Sequence, residues 1–462
     1  MLNNEILLFL SSLDSNSLNY VSWKNNHHIR SIKEIDDIDI LIDDKNLNEI
    51  KKLALDNNWI FLNNPISFIS DIYHLYKIQD GKIYHIHLYS KLLTGTSWLK
   101  ECYFKNLQRD LLNNRLRFKK FIWIPSIDLQ IIIFTLRFIA KNQYLLSKLL
   151  FYLENDDYIN EYNFILNLIN KLNFKKKASY ENMSLDTDNF NNFFKIKFQD
   201  KEFKKFINKS RRMAGYKIQY FLIAQLVKRF LNKYIFRRNN KKLFTNYGYI
   251  IALSGVDGSG KTTLLKKVYE LYSNFIVMKK VHMGRPLSNF LNKTVEMNIV
   301  KSKAVKDNSL LKNIKPLINN FLKLIMSFYI FRCKKKGYLI LSDRWPSRNF
   351  NVMDGRKIQG NNTFSLIENF IFKNIEPADI VIYLNVDINS IIRRNNERDS
   401  VEKDITDDVV LRYKSSQFKN MKFISKKMIT FNNNKFLDCA VNDISNLIWK
   451  EICTLEKNKD YC

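Results

Sequence analysis

"YGYIIALSGVDGSGKTTLLKKVYELY", Tyr247 to Tyr272, holds four of the chain's eleven glycines, and three of them, Gly255, Gly258 and Gly260, fall within six positions. Its centre fits G-x-x-x-x-G-K-[ST], with Lys261 and Thr262 in the last two places. At average composition an accidental match is expected on the order of once in a hundred chains of this length, and the scarcity of glycine lowers that further. The flanks agree with the motif. "YIIAL" is the unbroken apolar run of a strand buried on both faces, and "KTTLLKKVYELY" spaces its apolar residues as a helix does. A strand that enters a glycine loop and leaves as a helix aims main-chain N–H groups and the positive end of the helix dipole at one spot, which suits phosphate. The expected triphosphate-binding residues are Gly255, Asp257, Gly258, Ser259, Gly260, Lys261, Thr262 and Thr263. In this reading Lys261 reaches the β- and γ-phosphates of ATP and Thr262 offers its hydroxyl to Mg²⁺.

Working outward, "KKKGYLILSDRWPSR" supplies a second buried strand, "YLILS", that ends in Asp343 and Arg344. A carboxylate at the C-terminal edge of a strand beside a phosphate loop can hold Mg²⁺ or orient an acceptor hydroxyl, and an adjacent arginine can grip phosphate in two places. "ADIVIYLNVD" reads as a third strand. The following "INSIIRRNNERDS" brings Arg393, Arg394 and Arg398 round at helical spacing, a cluster suited to closing over a nucleotide or, equally, to facing solvent. A guanine-reading N-K-x-D is missing, and the second strand ends in S-D-R rather than D-E. These absences favour a kinase over a GTPase or a motor ATPase.

Size and composition set the frame. The chain has 462 residues, 46% of them hydrophobic, enough for more than one core. A formal charge of +30 and a pI near 9.7 predict attraction to polyanions, whether nucleic acid, anionic lipid headgroups or nucleotide phosphates, and charge alone does not choose among them. Five cysteines without C-x-x-C spacing argue against a disulfide framework or structural zinc and suit a reducing cytoplasm. The apolar runs are short or charged, so no transmembrane segment is expected.

Three regions follow: an α/β domain over 1–100, a helical region over 101–246, and an α/β domain over 247–462 with a parallel sheet flanked by helices. The seam, Lys201 to Leu243, carries fourteen Lys and Arg against the single acid Glu202. It reads as a basic helical connector, packed between domains, lying on an anionic membrane surface or, least favoured, lying on a nucleic acid. In the first domain "EIDDIDILIDD" sets Asp37 and Asp39 two apart on a strand and therefore on one face. Such a pair can hold a divalent cation, although alternating D-I-D-I is also an ordinary exposed edge.

Taken together, "GVDGSGKTT", "MGRP" at 283–286, "DRW", "ADIVIYLNVD" and "RRNNERD" resemble the thymidylate kinase family of P-loop nucleoside monophosphate kinases, over roughly Tyr247 to the C-terminus. The resemblance implies ATP and Mg²⁺, a small phosphorylated acceptor held by Arg285 and Arg344, and Arg394 and Arg398 over the donor phosphates. It also allows a homodimer. The family's S-x-x-A-Y-Q segment is replaced by "PSRNFNVMDGRK", so the acceptor is left open between dTMP and others.

A second resemblance covers about residues 15 to 100. "YVSWKNNHHI", the D-h-D strand and "YHIHLYSKLLTG" look like the nucleotidyltransferase-fold domains that precede a thymidylate kinase-like domain in some bacterial proteins, often of polysaccharide gene neighbourhoods. "WKNN" stands where that fold has a Gly-Ser turn, and His87 where it has a third carboxylate. Three functions stay open: a kinase, a bifunctional nucleotidyltransferase and kinase of surface polysaccharide biosynthesis, or a non-catalytic nucleotide-binding adaptor at a membrane or nucleic acid.

Overall fold

The computed structural model describes residues 3–24, 36–65, 69, 71–95, 99–119, 121–141, 178–180, 183–185, 208–212, 215–235, 241–284, 309–347, 362–396, 412, 415–416 and 421–459. They fall into two compact units, one of 1–78, 82–240 and 453–462, the other of 79–81 and 241–452.

The first unit opens with helix α1 (Asn4–Ser15), whose first turn is capped by the Asn3 side chain accepting from Glu5 N–H at 3.1 Å. Strands β1 (Tyr20–Ser22) and β2 (Asp37–Ile42) precede helix α2 (Leu47–Asp56), and β3 (Ile60–Asn63), β4 (Ile72–Gln79) and β5 (Lys82–Tyr89) follow. These strands lie side by side in the order β1-β2-β5-β4-β3, with β2 and β5 parallel. The β4–β5 connection is the two-residue turn Asp80-Gly81, both with positive φ, the sequence such a tight hairpin selects. One sheet face, with Ile38, Ile40, Ile42, Leu75, Ile86 and Leu88, is buried in one cluster with Ile6, Phe9, Leu10 and Leu13 of α1 and Ile50 and Ala54 of α2. Each fully buried aliphatic side chain contributes about 1.5–3 kcal/mol. Strand alternation sends the intervening residues, Asp37, Asp39, His74, Tyr76, His85 and His87, to the opposite face.

Helix α3 (Lys105–Asn113) is followed by a hairpin of β6 (Arg115–Lys119) and β7 (Ile122–Pro125), then by α4 (Ile127–Lys141), a small hairpin of β8 (Ala178–Tyr180) and β9 (Met183–Leu185), and α5 (Gly215–Phe230). The expectation of helix throughout 101–246 is therefore corrected at two hairpins. In the first, "RLRFKKFIWIP" alternates with period two and is rich in aromatic and β-branched residues, a strand signal that the neighbouring helical periodicity masked. The predicted helix "YNFILNLINKLNF" lies outside the described residues.

The second unit is a five-stranded, wholly parallel sheet flanked by helices. Its strands are β10 (Tyr249–Ser254), β11 (Met278–His282), β12 (Leu339–Asp343), β13 (Ala378–Asn385) and β14 (Ser425–Asn432), ordered β11-β12-β10-β13-β14. Its helices are α6 (Lys261–Ser273), α7 (Ser309–Lys335), α8 (Asn362–Lys373), α9 (Ile388–Asn396) and, up to Ile452, α10 (Leu437–Lys459). Every residue of β10 and β12 is buried, as a parallel sheet covered on both faces demands. The arrangement is compatible with a P-loop-type fold. Beneath the sheet's edge, Asp379 is buried and accepts the Ile250 N–H at 2.9 Å while Lys334 and Lys426 donate to its other oxygen at 3.0 and 2.9 Å. Among the described residues no helix is long and apolar enough to cross a membrane.

Candidate functional site

The glycine loop, 255–260, leaves the C-terminal end of the central strand β10 and enters α6. Gly258 and Gly260 both have φ of +86°, the left-handed region that favours glycine. A methyl group on Gly260 would also stand 2.9 Å from Asn433 Nδ2. Gly260 is the N-cap of α6 and supplies no side-chain cap, so the helix's first N–H groups are left for another partner. Lys261 folds back over the loop. Its buried ammonium donates to the carbonyls of Gly255 at 3.0 Å and Val256 at 2.7 Å, 3.6 Å from Asp257 Oδ1. Burial is the main cause that pushes this lysine below its ordinary pKa, with the Arg344 charge adding to it and Asp257 opposing.

Parallel pairing places Asp343 beside Leu253, at the same edge as the loop. Thr262 Oγ1 lies 3.4 Å from Asp343 Oδ2, and His282 Nε2 stands 4.0 Å from that oxygen. Three buried oxygens here, Ser254 Oγ, Ser259 Oγ and Asp343 Oδ1, have no hydrogen-bond partner among the described residues. A hydroxyl and a carboxylate at this spacing, one carboxylate oxygen being buried and unsatisfied, form an oxygen donor set that fits Mg²⁺, which keeps much of its water and takes few protein ligands. Arg344 has φ of +65°, uncommon for a side chain of its size, and its Nη2 meets Asp257 Oδ1 at 2.6 Å.

Arg394, half-buried on α9, donates through Nη2 to the carbonyl of Asn433 at 3.0 Å, and the Asn433 amide donates to Ser259 O at 2.7 Å. Asp387 caps α9 by accepting from Ser390 N–H at 2.8 Å and Ser390 Oγ at 3.1 Å. The loop, α9 and the residue after β14 are thus laced together through Asn433. The sequence pattern gave no hint of this residue, which lies 174 positions from the loop it bonds. Of the residues read from sequence, Gly255, Asp257, Gly258, Ser259, Gly260, Lys261, Thr262, Thr263, Asp343, Arg344 and Arg394 come together at this sheet edge, while Arg393 is exposed. Arg285 and Arg398 lie outside the described residues.

On the first unit's sheet, Asp37 and Asp39 share one face, as alternation requires. The parallel register sets Asp37 opposite His85 and Asp39 opposite His87. His85 Nδ1 lies 3.3 Å from Asp37 Oδ1, and His87 Nδ1 3.2 Å from Asp39 Oδ1. The buried Lys24 ammonium also meets Asp39 Oδ1, at 2.7 Å, and donates to Tyr89 OH at 2.9 Å. Burial alone would raise the Asp39 carboxyl, but the Lys24 charge and the His87 contact outweigh it and hold the group well below the usual carboxylate range. The same ion pair lifts Lys24 above the ordinary lysine value against the opposing effect of burial. Both carboxylates read as cation ligands therefore have imidazole partners, and Asp39 has an ammonium as well. Sequence reasoning singled out His87 but missed His74, His85 and Lys24, because the strands that unite them were not paired from sequence.

No family model matches the chain, and no curated protein matches it.

Proposed function

We propose that residues 247–462 form a P-loop kinase domain, similar to thymidylate kinase, that transfers a phosphoryl group from ATP to a nucleoside monophosphate or a related small phosphorylated acceptor. The observation that carries this reading is the convergence at one sheet edge of the glycine loop, the buried Lys261 ammonium, and Thr262 and Asp343 3.4 Å apart on neighbouring elements. Mg-ATP, when bound, supplies the reactive phosphoryl group and the metal's charge; the remaining work is positioning. Lys261 exchanges its two carbonyl partners for phosphate oxygens, and the N-terminal N–H groups of α6 take the tail of the nucleotide. Thr262 and Asp343 hold the hydrated cation. Arg344, steadied by Asp257, fixes the acceptor's phosphate, and Arg394 neutralises charge on the donor side.

The test is purified full-length protein given Mg-ATP with a panel of nucleoside monophosphates, sugars and sugar phosphates. ADP formation is expected to depend on one acceptor and to vanish in Lys261→Ala. Acceptor-independent turnover that Lys261→Ala leaves intact would sink the proposal.

A second reading, peripheral contact with an anionic membrane, draws on α5. Ile218 and Leu222 are buried with Leu99, yet Tyr216, Tyr220, Ile223, Val227 and Phe230 form an exposed stripe 52–73% accessible, beside Lys217, Lys228 and Arg229. An apolar stripe flanked by cations suits a lipid surface. Co-sedimentation with phosphatidylserine vesicles that weakens with salt and with Tyr220→Asp/Phe230→Asp is the expected result; binding equal to that on neutral vesicles would refute it.

A further inference from the structure

We propose that the amino-terminal sheet carries a three-histidine site for a zinc-class divalent ion, with His74, His85 and His87 as ligands and Asp37 and Asp39 as the carboxylates that orient two of them. The inference is independent of the kinase reading, since every residue lies in the first unit.

Three of the chain's six histidines meet on one face of two neighbouring strands. One ring nitrogen from each lies within 4.8 Å of the others, and His74 Nδ1 is 3.1 Å from His85 Nε2. A tetrahedral ion with metal–nitrogen bonds of about 2.0–2.1 Å holds its ligand atoms about 3.3–3.4 Å apart. The His74–His85 pair already stands near that chelating distance, and the set closes when the His87 ring nitrogen moves in from within 4.8 Å. In the His85 and His87 rings Nδ1 faces a carboxylate, which directs that nitrogen's hydrogen to Asp37 or Asp39 and leaves Nε2 its lone pair. This is the arrangement that fixes the tautomer and raises the basicity of metal-bound histidine. His74 joins by carrying its hydrogen on Nε2, so that Nδ1 is the donor.

The rings are held as well as aimed. Tyr76 stacks on His85 with centroids 4.2 Å apart, and His85 and His87 meet edge to face at 4.1 Å. The two acids act from behind: Asp39 is already matched by Lys24, and Asp37 stays 58% exposed. Three neutral nitrogen donors select zinc, cobalt or nickel over magnesium, which takes oxygen ligands. A fourth coordination position is left for water or a ligand oxygen.

The experiment uses the full-length chain freed of metal with a chelator and titrated with Co²⁺ and Zn²⁺. One ion per chain is expected, with visible Co²⁺ absorption of a low-coordinate nitrogen site, displaced by Zn²⁺ and not by excess Mg²⁺. His74→Gln with His87→Gln should abolish the band, and Asp37→Asn should weaken binding about 10–100-fold, while circular dichroism and melting stay those of a folded protein. Folded wild type that binds no stoichiometric Co²⁺ or Zn²⁺ would overturn the assignment. So would binding that survives His85→Gln with His87→Gln, or that is lost only when His27 and His28 are replaced; in those cases the cluster is a hydrogen-bonded ring stack.

Discussion

Arg344 and Asp257, 87 residues apart in sequence, meet at 2.6 Å and join the end of β12 to the crown of the glycine loop. The arginine's left-handed backbone is held by its own N–H donating to Leu253 O at 2.9 Å and by Ser342 Oγ donating to Arg344 O at 2.7 Å. That conformation costs an L-residue about 1–2 kcal/mol. Arg344→Gly removes the strain together with the guanidinium, and Arg344→Lys keeps the charge without the fork. Both variants should raise the acceptor KM by on the order of tenfold and leave ATP affinity unchanged, with the glycine variant at least as stable as wild type. Steady-state kinetics and thermal melts check this; equal acceptor KM in all three proteins would remove Arg344 from the acceptor site.

Lys261 predicts a pH effect of definite sign. Its folded pKa is lowered, chiefly by burial, so between that value and the ordinary value near 10.5 the unfolded chain binds more protons than the folded one. The cost of burying the charge is fully present below this window and fades as pH rises through it. Denaturant midpoints of wild type and Lys261→Met at about pH 7 and about pH 10 should therefore differ in one direction: wild type gains on the variant at the higher pH. A constant difference would contradict the burial of the charged form.

Thr262 and Asp343 are expected to act as one cation site. Thr262→Val and Asp343→Asn should each raise the Mg²⁺ concentration for half-maximal turnover about tenfold or more, with a double variant worse by less than the product of the two. Full additivity would mean that the 3.4 Å approach is incidental.

Asp379 is a structural test. It is buried, carries two lysines, and accepts the Ile250 N–H of β10. Asp379→Ala leaves the Ile250 N–H without its acceptor and the buried Lys334 with Glu376 at 3.2 Å, while Lys426 is already 55% exposed, and should cost about 1–3 kcal/mol, read from equilibrium denaturation. A loss below about 1 kcal/mol would show that water reaches Lys334.

The second unit's sheet was the most legible part of the chain. Three of its strands, β10, β12 and β13, are buried apolar runs, and the glycine motif fixed one of them at a loop and a helix. The exposed edge strand β14, whose residues 425–432 alternate between partly buried and exposed, carries a weaker signal, and it leads to Asn433. In the first unit the alternation of "DIDILI" and "YHIHLY" revealed two strands and a shared face for the aspartates. It did not reveal that they run side by side in parallel. Strand pairing is a long-range property, set by packing on α1 and α2 rather than by either segment, and with it went the contacts of Asp37 and Asp39 with histidine. The hairpin over 115–125 was lost for a local reason: eleven residues of alternation sit between two strongly helical stretches.

The facing of Asp37 by His85 and Asp39 by His87 ties chemistry to alignment. Shifting the register of one strand by an odd number of residues would turn its own acids or imidazoles into the oily interior and push its isoleucines outward. A slip of register would thus break both pairs at once, whereas a point substitution breaks one.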